Sequence, residues 1–242
     1  MSKFTLLNGN SLKLIAALLM LIDHIGVVLF PKVILLRYIG RLSFPIFAFM
    51  ISESVKYTKN KINYILGIST LALICQTVYY FYDKSLYMSI LVTFSLSIVI
   101  SYAMQNFKRA LFSGSKGEKL TAFWLFFITV SLSYLFTYFF TVDYGFTGVL
   151  IPVFASVFDF RNIDAPENLK KLDCIPVRVI CLGVGVLINA MAMTSIQYYA
   201  LLSIPLLLLY SGKRGKLNLK YFFYIFYPLH LLALEGVAML LR

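Results

Sequence analysis

Both histidines of this chain fall inside long apolar segments. His24 stands in SLKLIAALLMLIDHIGVVLF beside Asp23, and His230 stands in KYFFYIFYPLHLLALEGVAMLL. An ionisable side chain at membrane depth is costly to keep, so it marks a functional site before it marks a packing position. Imidazole exchanges protons near neutral pH. An Asp-His pair in one segment and Tyr227-Pro228-Leu229-His230 in another therefore point to buried acid–base chemistry, with His24, Asp23, His230 and Tyr227 as its candidates.

Other side chains bear on these four. Lys13 and His24 are eleven positions apart. That is about 1100° of helix, within roughly 20° of three full turns, and about 16 Å of rise. They share a face, which would suit a long donor with an anionic head lying along the helix; the alternative is a lysine that snorkels to lipid headgroups. Adjacent helical residues point about 100° apart, so Asp23 cannot orient His24 in a regular helix. Its expected partner is a cation from the next element, Arg37 or Arg41. Glu53 has Lys56 three positions on as a bland ion-pair partner. Tyr144-Gly145-Phe146-Thr147-Gly148 would permit close helix packing or open space for a ligand. Ser211-Gly212-Lys213-Arg214-Gly215-Lys216 sets three cations among two glycines. Such a loop can wrap phosphates, or it is a plain basic loop at a membrane surface; it is no Walker motif. Pro228 should kink its helix and turn Tyr227 and His230 to one face. Gln76 and Asn189 read as interhelical hydrogen-bonding groups.

These residues are positioned by apolar helices. The chain has 242 residues, of which 60% are hydrophobic and 13% charged, and a mean hydropathy of +0.85. A soluble domain carries roughly 25% charged residues. The expected fold is all-α: a polytopic helical membrane protein of about nine helices in one bundle. Candidate spans run over 11–30, 39–57, 62–82, 86–107, 120–140, 145–160, 176–194, 196–211 and 218–241. The sixth and eighth are short, so eight to ten crossings are expected. The first apolar stretch, with its Asp23-His24, does not read as a cleavable signal. Seventeen of the 22 Lys and Arg lie at the N-terminus and in alternate loops, and five on the other side. The positive-inside rule then puts the N-terminus in the cytoplasm. The basic residues form no domain that could present them to nucleic acid. Cys75, Cys174 and Cys181 have no metal-ligand spacing, and no metal is expected.

The runs Leu12-Lys13-Leu14-Ile15-Ala16 and Met20-Leu21-Ile22-Asp23-His24-Ile25-Gly26 resemble the start of the TraX family. The resemblance continues in order through Arg37-Tyr38-Ile39-Gly40-Arg41-Leu42-Ser43-Phe44-Pro45, Tyr144-Gly145-Phe146-Thr147-Gly148-Val149-Leu150, Leu209-Tyr210-Ser211-Gly212-Lys213-Arg214-Gly215 and Lys220 to Leu231. TraX proteins are implicated in N-acetylating the N-terminus of conjugative pilin. They are similar to a wider group of transmembrane acyltransferases, many with a basic residue, ten intervening residues and a histidine in the first span. Lys13 and His24 match that spacing, with Lys where Arg is commoner. A lysine acts there as a point charge, not as a bidentate fork.

The resemblance implies one transmembrane acyltransferase-like domain over 1–242, in the bacterial cytoplasmic (inner) membrane among its lipids. Acetyl-CoA would be the donor, bound through Lys13, Lys213, Arg214 and Lys216. His24 would be the base, or would carry the acetyl group briefly. Tyr227 or His230 would polarise the thioester or orient the acceptor. Arg37, Arg41, Glu53 and Tyr144 would meet the substrate, a peptide amine such as a pilin N-terminus or a glycan hydroxyl. Two other readings are a proton-coupled transporter, built on the same Asp and His, and a scaffold subunit of a secretion machine. Inverted repeats and paired broken helices would favour the transporter, and the sequence has neither.

Overall fold

The computed structural model describes residues 6–217 and 219–241, and the side chains of all of these except 82, 83, 220 and 221. Lys3 and Arg242, which enter the charge count, lie outside the described residues, as does the side chain of Lys220. The helices are α1 (Gly9–Val28), α2 (Ile34–Gly40), α3 (Ser43–Tyr57), α4 (Lys61–Asp83), α5 (Ile90–Ser113), α6 (Lys116–Phe139), α7 (Gly145–Ala155), α8 (Glu167–Lys170) and α9 (Ile175–Ala192). A 3-10 helix (Ser195–Leu202) then runs into α10 (Ser203–Leu208), and α11 (Lys220–Leu241) closes the chain. No strand forms among the described residues, and helix accounts for 77%. The protein is a polytopic, all-helical membrane protein.

Seven helices among the described residues are long and apolar enough to cross a membrane. The two remaining expected spans, the short sixth and eighth, are the shorter apolar helices Gly145–Ala155 and Ser195–Leu208. Each reaches farther than its helical length. The 11 residues of α7 cover about 16 Å. Yet Thr93 at the start of α5 bonds the Asp143 carbonyl, and Lys108 near its end bonds the Asp159 carbonyl. Residues 143–159 therefore run beside about 22 Å of α5. In the other segment, eight residues are wound as 3-10 helix, which rises about 2.0 Å per residue instead of 1.5.

The second span differs from expectation. Helix begins at Ile34, not near 39, and breaks between α2 and α3 at Arg41-Leu42. Pro45 explains the position: it lacks an N–H, and its ring crowds the carbonyl four residues back, that of Arg41. Arg37, expected in a loop, thus sits in a helix.

The chain divides into two compact units, Met1–Met50 with Ala190–Arg242, and Ile51–Asn189. In the first, Ser43 Oγ donates to the Ala16 carbonyl at 2.9 Å and ties α3 to α1. Tyr38 of α2 stacks on Tyr199 of the 3-10 helix at 4.1 Å. In the second, α5 is the centre. Its buried Thr93, Ser97, Ser101, Gln105 and Lys108 form a polar stripe, and three of them serve backbone carbonyls of α7 and its two flanks. Ser97 Oγ donates to Val149 O at 2.7 Å. Lys108 Nζ donates to Ser156 O, Val157 O and Asp159 O at 2.8, 2.9 and 2.9 Å. Irregular backbone at membrane depth is tolerated where protein satisfies it in this way. Ile100, Met104, Val149 and Val153 fill the apolar contact between the same helices.

Candidate active site

The first turn of α1 is built by contact with the basic loop. Helix starts leave four N–H groups without intrahelical partners. Asn8 is the N-cap, its side chain accepting from Ser11 N. Gly9 N donates to Lys213 O at 2.8 Å and Asn10 N to Arg214 O at 3.0 Å. Asn10 Nδ2 donates to Leu217 O at 2.8 Å, and Ser211 N to Leu7 O at 2.8 Å. Gly215 takes φ +92°, and a Cβ there would press on Asn8 and Asn10. Both features call for glycine. Two of the loop's carbonyls are spent on α1, while the side chains of Lys213, Arg214 and Lys216 remain exposed. The structure thus joins the four candidate donor-binding cations to one helix end, with Lys13 in the second turn of that helix.

The two histidines, 206 positions apart in sequence, meet. His230 Nε2 lies 3.0 Å from His24 Nδ1, with ring centroids 5.0 Å apart and planes at 41°. His230 is buried, 6% exposed. Its Nδ1 is 2.8 Å from the Phe226 carbonyl. The Phe226 ring stacks on it at 4.9 Å and 10°, and Tyr227 presents an edge at 5.8 Å. Pro228 stands within this turn of α11.

Asp23 is held by both expected partners. Its Oδ2 accepts from Arg37 Nη1 at 2.8 Å and from Arg41 Nη2 at 3.3 Å. Its Oδ1 is buried without a hydrogen-bond partner among the described residues. It lies against Gly40, where a Cβ would overlap Asp23. One carboxylate between two guanidiniums leaves this group with a net positive charge.

Glu53 and Tyr144 belong to the second unit. Glu53 is ion-paired with Arg178 Nη1, and Lys56, the expected neighbour in sequence, reaches Asp173 and Asp159 at 2.5 and 3.7 Å. Arg178 also donates to Ser52 Oγ and to Ala155 O. Tyr144 takes φ +62° at the start of α7, rare for a residue with a Cβ. Its carbonyl accepts from Asn189 Nδ2 at 3.1 Å, and Thr147 Oγ1 from the same amide at 2.8 Å. Asn189 is thus the interhelical link expected of it. Lys108, Asp159 and Arg178 escaped the sequence reading as members of a buried network. The signal available for Lys108 was a run of polar residues every three or four positions through an apolar span.

A family model for TraX protein matches residues 8–238. The chain belongs to the TraX family. No curated protein and no solved structure matches it. The TraX match opens at the N-cap of α1 and closes in α11, so it takes in the basic loop, both histidines and the Asp23 ion pairs.

Proposed function

We propose that this TraX protein is a membrane-embedded acetyltransferase that moves an acetyl group from cytoplasmic acetyl-CoA to an acceptor at the outer side. The observation that supports it is the double role of α1. Its N-terminus grips the basic loop at Gly9 and Asn10, and fifteen residues farther along it carries the His24 that meets His230. Fifteen residues are about 22 Å of helix, a span suited to an extended phosphopantetheine arm. In this reading Lys213, Arg214, Lys216 and Lys13 hold the phosphates of CoA and the thioester lies near His24. His24 takes the proton of the acceptor amine or hydroxyl as its nitrogen or oxygen attacks the acetyl carbon. The thiolate of CoA leaves and is protonated in turn. Arg37, Arg41 and Tyr227 line the acceptor's approach, and a peptide N-terminus is favoured over a glycan hydroxyl on family grounds.

The test is CoA release from acetyl-CoA by purified protein in lipid nanodiscs, offered peptide amines and glycans. His24→Ala should lower turnover by about 10²–10⁴-fold while binding persists. Replacing Lys213, Arg214 and Lys216 by Ala should weaken acetyl-CoA binding, and the wild-type affinity should fall with salt, as expected for exposed charges. Unchanged turnover in His24→Ala, or no binding of any acyl-CoA by the wild type, would sink the reading and favour a transporter.

A further inference from the structure

We propose that His230 is a positioning residue: it holds His24 in the tautomer protonated on Nδ1, and so leaves the His24 Nε2 lone pair as the atom that receives the acceptor's proton. The catalytic meaning of this rests on the acetyltransferase reading; the proton arrangement does not.

A backbone carbonyl only accepts hydrogen bonds. His230 Nδ1, 2.8 Å from Phe226 O, therefore carries a hydrogen. A neutral imidazole has one N–H, so His230 Nε2 presents a lone pair. That lone pair faces His24 Nδ1 at 3.0 Å, and the contact is a hydrogen bond only if His24 Nδ1 donates. The remaining nitrogen, His24 Nε2, is then bare. One carbonyl in α11 thus sets the state of a nitrogen in α1 through two rings.

The His230 ring is poorly free to turn over. Phe226 stacks on its face and Tyr227 abuts it edge-on. In many acid–base sites a carboxylate performs this orienting task. Asp23 cannot, being bound to Arg37 and Arg41, and it points away from His24 on the helix. A neutral orienting ring has one consequence a carboxylate lacks. When His24 Nε2 gains a proton, its Nδ1 proton already lies on the line to His230 Nε2, and the positive charge is shared between two imidazoles.

The chain has two histidines, so ¹⁵N-histidine labelling yields four ring nitrogens in a solid-state spectrum of the full-length protein in lipid. Both rings are expected to show a protonated Nδ1 and an unprotonated Nε2. In His230→Ala the His24 ring should relax to a mixture of tautomers. In His230→Gln, whose amide oxygen can accept from His24 Nδ1, the Nδ1–H form should persist. Turnover should follow the tautomer: a drop of about 10–100-fold in kcat for His230→Ala at unchanged KM for acetyl-CoA, and substantial rescue in His230→Gln. A His24 ring protonated on Nε2 in the wild type, or one whose tautomer ignores His230→Ala, would overturn the proposal. The wild-type spectrum decides even if the alanine variant fails to fold. Correct tautomers in a protein that transfers no acetyl group would count against the acetyltransferase reading and leave the proton arrangement standing.

Discussion

Buried charge in this chain is placed by distant partners, and the consequences are measurable one residue at a time. Glu53 and Arg178 are 125 positions apart and both buried. Two desolvated ions held together repay little over an apolar pair of the same volume, but removing one leaves the other uncompensated. Glu53→Ala or Arg178→Ala should each cost about 3–5 kcal/mol, and the double variant Glu53→Gln/Arg178→Met much less than the sum. Thermal unfolding in detergent reads this directly. A loss in the double variant equal to the sum of the two single losses would show that the pair is not the unit of stability. The sequence neighbourhood suggested Lys56 for Glu53, because three positions is the local rule on a helix. The packing of α9 offered a closer, drier partner. Asp23 was easier to read: its helix face excludes His24, and the short connection brings up α2, with Arg37 in the helix and Arg41 at its C-cap.

Glycine decides how closely the helices approach. At Gly40 a Cβ would sit on the Cα, Cβ and Oδ1 of Asp23, so α2 comes against α1 only because that atom is missing. At Gly236, in α11, a Cβ would meet nothing within 4 Å. The two substitutions should therefore have opposite signs. Gly40→Ala should destabilise by about 1–3 kcal/mol through overpacking and loosen the Asp23 ion pairs. Gly236→Ala should stabilise by about 0.4–1 kcal/mol by restricting the unfolded chain. Melting midpoints of the two variants compared in the same detergent test this, and a stabilising Gly40→Ala would mean that α1 and α2 can separate freely. Sequence alone marks both glycines as helical and cannot rank them. The Arg41-Leu42 break belongs to the same scale: Pro45 foretells it once the four-residue reach of its ring is applied.

Over the whole molecule, the excess of basic residues in alternate loops carries the orientation in the proposed reading. Cys174 provides a native probe. It is exposed and unpaired, whereas Cys75 is buried, and it falls in the loop that the charge count assigns to the cytoplasm. A membrane-impermeant maleimide should leave Cys174 unlabelled in intact cells and label it after the membrane is opened. Labelling of intact cells would invert the topology and move the basic loop of 211–216 to the outer face, away from acetyl-CoA.

The helical membrane class, the rough extent of most apolar helices and the placing of both histidines inside them were legible in the sequence. Hydropathy over about 20 residues and charge in short loops are local properties, and each segment meets its solvent independently of the others. It also set Lys13 and His24 on one face, since helical periodicity is local. The pairing of His24 with His230, the capping of α1 by the carbonyls of residues 213 and 214, and the cage of carbonyls around Lys108 were decided by tertiary structure alone. A buried donor or acceptor is satisfied by whatever group packing brings within 3 Å, and packing joins segments whose separation along the chain carries no record of it.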